Sequence, residues 1–535
     1  MDGTSDSSMA NRKIARAAGT VMAAIVLGQI LGLARGILVA RAFPAAELDA
    51  FFAANRVSET LFMLIAAGAL GSAFIPTFAG KLARGDHAGA WHLASSLANL
   101  ILVILSVLAI AAAILAPAIV QYLLAPGFSA SPAQFDLTVE LLRIQLASVI
   151  LFGLGGLLVG ILNAQNVFFV PALTPSMYQL GLILGVVVLG PRMGIRGLAW
   201  GVVVGAFLYL LLQVPSLVRI TGRGERGPEG ARYSPTFGLR DASVKEVLRL
   251  MVPRIAGIGV VQLNFWVNTW LASQMQSGSV AGLQYGFSLM LMAQAAIAQS
   301  VAIAAMPTFS VQHALGKVDE LRSALAASLR GVLLLAVPAS AGLMLLRKPI
   351  VRLLYQRGQF DAQMTELVAW ALLWYAAGLV GHSMLEILTR AFYAQQDTRT
   401  PVLVGASAMG LNVVLSLVFA ALFSGLGWFP HGGLALANSA ATALEMGALY
   451  LLMRRRLKEI DGRRIGSGLL SAAAGTAALC AVVIALTRLP LPAWAAAIGG
   501  VAFGAAAYFL VLRLLRVPEL MFADAALKRA LAARR

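Results

Sequence analysis

Cysteine is almost missing from this 535-residue sequence: Cys480 is the only one. An internal disulfide is therefore impossible, and a thiolate metal cluster is excluded as well. Charge is nearly as scarce. Asp, Glu, Lys and Arg make up 12% of the chain, and the acidic residues number 23 against 41 basic ones. A GxxxxGK[ST] phosphate loop is absent, so the chain does not power itself with ATP. HExxH, CxxC and GxSxG are absent too, which removes the commonest metallo-, redox and acyl-transfer chemistries. No enzyme activity, metal or cofactor is expected. The polar stretch Met1–Arg16 lacks a cleavable signal pattern, so the apolar span behind it is expected to be retained.

Apolar sequence is what the chain has instead. Hydrophobic residues make up 59% of it, with a mean hydropathy of +0.83. No soluble globular protein has this composition. About fourteen apolar segments are each long enough to cross a hydrocarbon core of ~30 Å. Backbone groups in lipid must be satisfied internally, so the segments are predicted to be helices. The fold class is an all-α polytopic membrane protein. The net charge of +18 would suit nucleic acid, but the charges sit in short loops between spans, which excludes that partner.

Three landmarks recur. Ile75-Pro76-Thr77-Phe78 returns as Met306-Pro307-Thr308-Phe309, 231 residues later. Ala164-Gln165-Asn166 with Pro171-Ala172-Leu173 returns as Ala394-Gln395-Gln396 with Pro401-Val402-Leu403, 230 residues later. Gly197-Leu198-Ala199 returns as Gly433-Leu434-Ala435, 236 residues later. A duplicated six-span unit follows, with both copies in the same orientation and a repeat axis along the membrane normal. Duplicated halves of this kind build transporters that work by alternating access. The predicted organisation is an N-terminal segment (1–16), a first six-helix half (17–219), a linker (220–245), a second half (246–455), two further helices (456–516) and a basic amphipathic tail (517–535). The second and tenth spans are predicted at 49–80 and 363–394. The Gly-rich polar stretch 221–243 reads as a flexible tether between the halves. The tail reads as a helix lying on the anionic leaflet.

Basic residues set the orientation. With the N-terminus inside, 29 of the 41 Lys and Arg face the cytoplasm and eight the opposite side. Both termini are therefore expected to be cytoplasmic. The loop from Arg347 to Arg357 runs against this trend.

Charge inside a span costs at least ~2.5–3.5 kcal/mol and needs a reason. Arg35 lies in span one with no carboxylate within a turn. Arg56 and Glu59 share a face of span two, and Glu140 and Arg143 share one of span four. Arg254 begins span seven, where Gln262, Asn264 and Asn268 add neutral polar groups. His382 and Glu386 lie four apart in span ten, and Glu445 lies in span twelve. Each has a structural alternative: an internal ion pair for Arg56–Glu59 and Glu140–Arg143, snorkelling for Arg254, a satisfied interior histidine for His382, and a helix–helix hydrogen bond for Glu386. Met290 and Met292 read as packing. Several arginines with few carboxylates describe a positive cavity, and guanidinium forks match phosphate oxygens.

At this point the sequence resembles the MurJ (MviN) lipid II flippases of the multidrug/oligosaccharidyl-lipid/polysaccharide exporter superfamily. The motifs are Leu31-Gly32-Leu33-Ala34-Arg35, Asp49-Ala50-Phe51-Phe52, Gly68 through Pro76, Ala125-Pro126-Gly127-Phe128, Gly160-Ile161-Leu162-Asn163, and Phe392 through Val402, the last being the most specific. The resemblance implies fourteen spans and movement of undecaprenyl-diphosphate-linked peptidoglycan precursor between leaflets of the bacterial plasma membrane, with basic cavity residues on the diphosphate. It implies a lipid II-like anionic partner. A monomer is expected, with cell-wall synthesis enzymes as candidate partners. Arg35 and Asp49 match family positions. The chain departs at Phe62 and Ser288, where the family has arginines, at Ala67, where it has glutamate, and at Gln29, Gly36 and Glu386. Arg56 and Arg254 are expected to supply the charge that Phe62 and Ser288 lack. The expected substrate site is Arg35, Asp49, Arg56, Glu59, Arg254, Gln262, Asn268 and Glu386. A flippase for another polyprenyl-linked glycan, a cation-coupled exporter of the superfamily and a non-transporting envelope scaffold are the alternatives.

Overall fold

The computed structural model describes residues 3–64, 69–221 and 233–520, with side chains other than those of 3–18, 21 and 69–72. The chain forms two compact units, residues 1–280 with 358–360, and residues 281–357 with 361–535. The first carries α1 (Gly3–Ala42), α2 (Ala45–Phe62), α3 (Ala69–Ala83), α4 (His87–Ile114), α5 (Ala116–Ala118), α6 (Pro132–Ala164), α7 (Phe169–Leu184), α8 (Gly190–Met193), α9 (Ile195–Leu211), α10 (Val214–Thr221) and α11 (Ala242–Ser273). In the second are α12 (Ser279–Gln294), α13 (Ser300–Ala314), α14 (Val318–Leu354), α15 (Ala362–Ala377), α16 (Leu379–Ala394), α17 (Arg399–Gly425), α18 (His431–Arg456), α19 (Gly462–Thr487) and α20 (Ala493–Leu514).

Among the described residues, twelve helices are long and apolar enough to cross a bilayer, and α15 with α16 forms a thirteenth span bent by 47°. The remaining expected span, 49–80, falls on α2 and α3, with residues 65–68 between them outside the described residues. The bend in the tenth span lies at Gly378, where a Cβ would strike the Ser439 hydroxyl of α18. The outer wall is apolar. On α4, Val107, Ile110 and Ile114 are exposed, as a lipid-facing surface requires. Polar residues such as Gln145, Ser176 and Gln213 are fully buried instead.

The sequence repeat reappears as repeated backbone geometry. Asn166 and Gln396 both adopt left-handed conformations, with φ of 62° and 60°. In each turn the next residue's N–H closes back on the helix: Val167 N–H donates to Leu162 O, and Asp397 N–H to Phe392 O. This is a Schellman-type end. Pro76 and Pro307 lie inside α3 and α13, and Phe78 and Phe309 two residues on are fully buried. A Cβ on Gly197 would strike the Leu189 backbone at 2.6 Å, and one on Gly433 the Phe419 backbone at 2.6 Å. The second span of each repeat also contains π-helical geometry, at Met63–Leu64 and at Ala295–Gln299.

Packing places α11 in the first unit. Its C-terminal end is bonded there: Asp49 accepts the Gly278 N–H at 2.6 Å, Trp270 donates to Tyr122 O at 3.2 Å, and Gly127 N–H donates to Ser273 Oγ at 3.3 Å. Gly127 lies so close to the Ser273 carbonyl that only glycine fits, which accounts for the Ala-Pro-Gly-Phe motif.

Residues 222–232 of the expected tether lie outside the described residues, as do 521–535 of the expected amphipathic tail. The part of the linker from Tyr233 onward is not a free tether. Asn99 of α4 donates to Ser234 O and Thr236 O and accepts from the Tyr233 hydroxyl, so its whole amide is spent on the linker. The residues of the Arg347–Arg357 stretch as far as Leu354 continue α14 rather than forming a loop, and Lys348 there pairs with Glu366 at 2.7 Å.

Helix α7 crosses α9 on a seam of glycines. A Cβ on Gly181 would overlap Gly205, and one on Gly201 would lie 2.8 Å from the Gly185 Cα. Small residues allow such close approach in membranes. Gly201→Leu overpacks this seam and is expected to cost about 1–3 kcal/mol. A lowered melting midpoint in detergent, with Gly410→Leu (no neighbour within 4 Å) unchanged, checks it.

Candidate functional site

A group of interacting polar side chains lies on α2 and α11 of the first unit. Arg56 donates from Nη1 to Glu59 Oε2 at 3.0 Å, one turn along the same helix. Its guanidinium also lies over the Phe265 ring of α11, 5.0 Å from the centroid, within cation–π range. The Arg56 side chain is 12% exposed and Glu59 39%. One turn on, the Thr60 hydroxyl donates to Arg56 O at 2.7 Å and accepts from Trp266 Nε1 at 2.8 Å. Gln262 touches the same hydroxyl at 3.3 Å. The ion pair read from the sequence is present, and Gln262 meets the neighbouring Thr60.

Arg35 on α1 is half-buried. Arg35 of α1 and Glu59 of α2 both lie in the neighbourhood of the Tyr178 phenol of α7. A Cβ on Gly32, one turn before Arg35, would touch the Gln179 amide at 3.7 Å. Tyr178 belongs to an aromatic wall. Its ring packs on Phe152 at 5.2 Å, and Phe152 packs on Phe62 at 4.9 Å and on Tyr209 at 5.5 Å. Phe62 thus stands where charge was expected from the resemblance, and it completes an apolar surface there.

The other expected residues are distributed differently. Asp49 is 2% exposed and holds the turn after α11. Arg254 is exposed near the start of α11. Asn268 donates to Asn264 Oδ1 at 3.3 Å on the same helix. Glu386 belongs to the second unit, where it pairs with Arg390 at 2.9 Å. It does not bond His382, whose Nε2 meets Asn438 Oδ1 at 3.1 Å. Glu445 lies against Gly405. The expected Glu140–Arg143 pair is not formed. Glu140 takes Arg196 of α9 at 2.7 Å, while Arg143 Nε donates to Ala113 O at the end of α4. Both interhelical partners lie outside the helical turn that the spacing considers. Ser288, the second arginine departure, donates to Gln284 O of its own helix. Ala67 lies outside the described residues.

A family model described as "Lipid II flippase MurJ" matches residues 39–498. The chain belongs to this family. A curated relative named "Lipid II flippase MurJ" from Burkholderia cenocepacia is 32% identical over 447 residues, covering 82% of this chain and 84% of its own length. Among solved structures, one titled "Lipid II flippase MurJ, inward closed conformation" superposes with a TM-score of 0.79 at 25% identity, covering 94% of this chain and 99% of its own. An inward-facing multidrug resistance MATE transporter of the MOP superfamily superposes with a TM-score of 0.66 at 16% identity, covering 82% of this chain and 98% of its own, and shares the fold. The chain is a multi-pass membrane protein of the MurJ family.

Thr60, Phe265, Trp266, Tyr178 and Arg390 were not read as site residues from the sequence. Phe265, Trp266 and Tyr178 come from other helices, which spacing along one helix does not show, whereas Thr60 and Arg390 lie four residues from Arg56 and Glu386 and were within reach of that spacing. The motif most specific to the MurJ resemblance turns out to be a structural turn. Asp397 accepts the Thr400 N–H at 3.0 Å and the Thr400 hydroxyl at 2.8 Å, and pairs with Arg456 at 2.6 Å.

The backbone N–H of Thr400 holds the Asp397 carboxyl below its usual range, and the Thr400 hydroxyl and Arg456 add to this. A carboxyl depressed on folding contributes stability above its unfolded value, about 3.9, and loses it as pH falls through the folded value. Asp397→Asn keeps a capping oxygen but removes the charge facing Arg456, and is expected to cost about 0.5 kcal/mol at pH 7, the size of an exposed ion pair. Melting curves of the two proteins should converge as pH falls through the lowered folded value of the Asp397 carboxyl.

Proposed function

We propose that this chain moves lipid II from the cytoplasmic to the outer leaflet of the bacterial plasma membrane by alternating access. The observation that carries the reading is the family match across residues 39–498. In this reading both termini are cytoplasmic, as the 29 of 41 basic residues on that side require. The two six-helix repeats, 17–219 and 246–455, are the moving halves, joined by the linker 220–245. Residues 456–516 and the tail 517–535 lie outside the repeat. The chain acts as a monomer alongside cell-wall synthesis enzymes.

The substrate site is proposed around Arg35 and Arg56. Two guanidiniums in a low-dielectric setting match the two phosphates of a prenyl diphosphate, and Glu59 restrains Arg56 between substrates. Gln262 and Asn268 offer neutral donors for sugar hydroxyls. Arg254, exposed near the cytoplasmic start of α11, is a first contact for an incoming anion. Glu386, paired with Arg390 within the second unit, is proposed separately as a substrate residue of that unit. Asp49 supports the site by holding the turn after α11.

One observation favours a second substrate. Phe62 packs into a buried aromatic cluster where the resemblance expects charge, so the site carries less positive charge, which suits a different polyprenyl-linked glycan.

Complementation separates the two. In a bacterium depleted of its own lipid II flippase, the wild-type chain is expected to restore growth and Arg35→Ala to fail, with equal amounts in the membrane. Failure of a correctly inserted wild type would overturn the lipid II reading and leave the other glycan.

A further inference from the structure

Thr60 has one hydroxyl proton and three neighbours. Arg56 O is nearest at 2.7 Å and takes that proton; Gln262 is farther, at 3.3 Å. The Thr60 oxygen is then free to accept, and Trp266 Nε1, which can only donate, meets it at 2.8 Å. A directional chain results, from indole N–H to hydroxyl to the carbonyl of Arg56. Each bond in such a chain polarises the next. Threonine bonding back to the preceding turn also bends a helix, and the π-helical geometry at Met63–Leu64 follows within one turn. The neighbour of Trp266, Phe265, lies under the Arg56 guanidinium. Helix α11 thus grips Arg56 at its backbone and at its charged end. Thr60 is buried, so water is poorly placed to replace the indole donor.

We infer that Trp266 is a positioning residue for Arg56, setting through Thr60 the backbone from which the guanidinium reaches toward the anionic headgroup. The inference rests on the reading of Arg56 as a substrate residue only for its consequence in transport, not for the positioning itself.

Arginine labelling by phenylglyoxal tests it without substrate. The full-length chain in detergent is labelled, and modification of Arg56 and Arg143 is quantified by mass spectrometry. Trp266→Phe keeps an aromatic ring and removes the N–H. It is expected to raise Arg56 labelling about three- to fivefold, the worth of an interhelical hydrogen bond in a bilayer, and to leave Arg143 unmoved. Thr60→Val should do the same, and Thr60→Ser should behave as wild type. Unchanged Arg56 labelling in both Trp266→Phe and Thr60→Val would overturn the inference. So would an equal rise at Arg143, which marks general loosening.

Lipid II transport in vesicles then gives the consequence. Trp266→Phe is expected to raise KM about threefold with kcat within about twofold, and to add nothing in an Arg56→Ala background. Additive losses would overturn the relay. If labelling shifts while Arg56→Ala transports as wild type, the positioning stands and Arg56 leaves the proposed substrate site.

Discussion

Hydrocarbon offers no hydrogen-bond partner, and the arrangement of polar groups in this chain follows from that. A polar side chain in a span must find its partner inside the protein or lose several kcal/mol. Arg56 therefore comes with Glu59, Phe265 and a threonine that returns its proton to the Arg56 carbonyl. His382 comes with Asn438, and Glu386 with Arg390. The same rule turns the exterior apolar, as on α4. A transporter must break it where an anionic substrate passes, and Arg35 and Glu59, both half-exposed, are the residues of the first unit proposed for that passage.

Close packing is what makes those partners reachable. The glycine seam between α7 and α9 brings Tyr178 and Tyr209 onto one wall with Phe152 and Phe62. Arg35 and Glu59 both lie in the neighbourhood of Tyr178 in that wall, although the two charges lie on different helices. The latches at Asp49, Gly127 and Trp270 tie α11 to the same unit, so Phe265 and Trp266 are available to Arg56. Scaffold and site are in this sense one set of contacts: the Asp49 and Ala-Pro-Gly-Phe motifs hold helices in place, and the arginines use the placement.

Much of the fold was legible in the sequence because it rests on length and hydropathy. The spans and the repeat were readable; that the repeat ends two helices on left-handed residues, Asn166 and Gln396, came only from the structure. The ion pair of Arg56 and Glu59 was readable because it lies within one helical turn. What failed to show was interhelical. Glu140 takes Arg196 rather than Arg143, and nothing along α6 points to α9. Trp266 and Tyr178 were not singled out, because their partners lie on other helices. The linker read as free from its glycines, yet Asn99 holds its second part. Side-chain partners between spans are set by packing, which a single sequence does not display.

The most direct measurement of the central claim is lipid II transbilayer movement in vesicles containing the purified chain. Fluorescent lipid II is placed in both leaflets, and dithionite added outside quenches what it reaches. The account predicts loss of signal beyond the outer-leaflet half with the wild type, and only that half with Arg35→Ala at equal protein content. Quenching by the wild type no greater than in protein-free vesicles, or full quenching by Arg35→Ala, would contradict it.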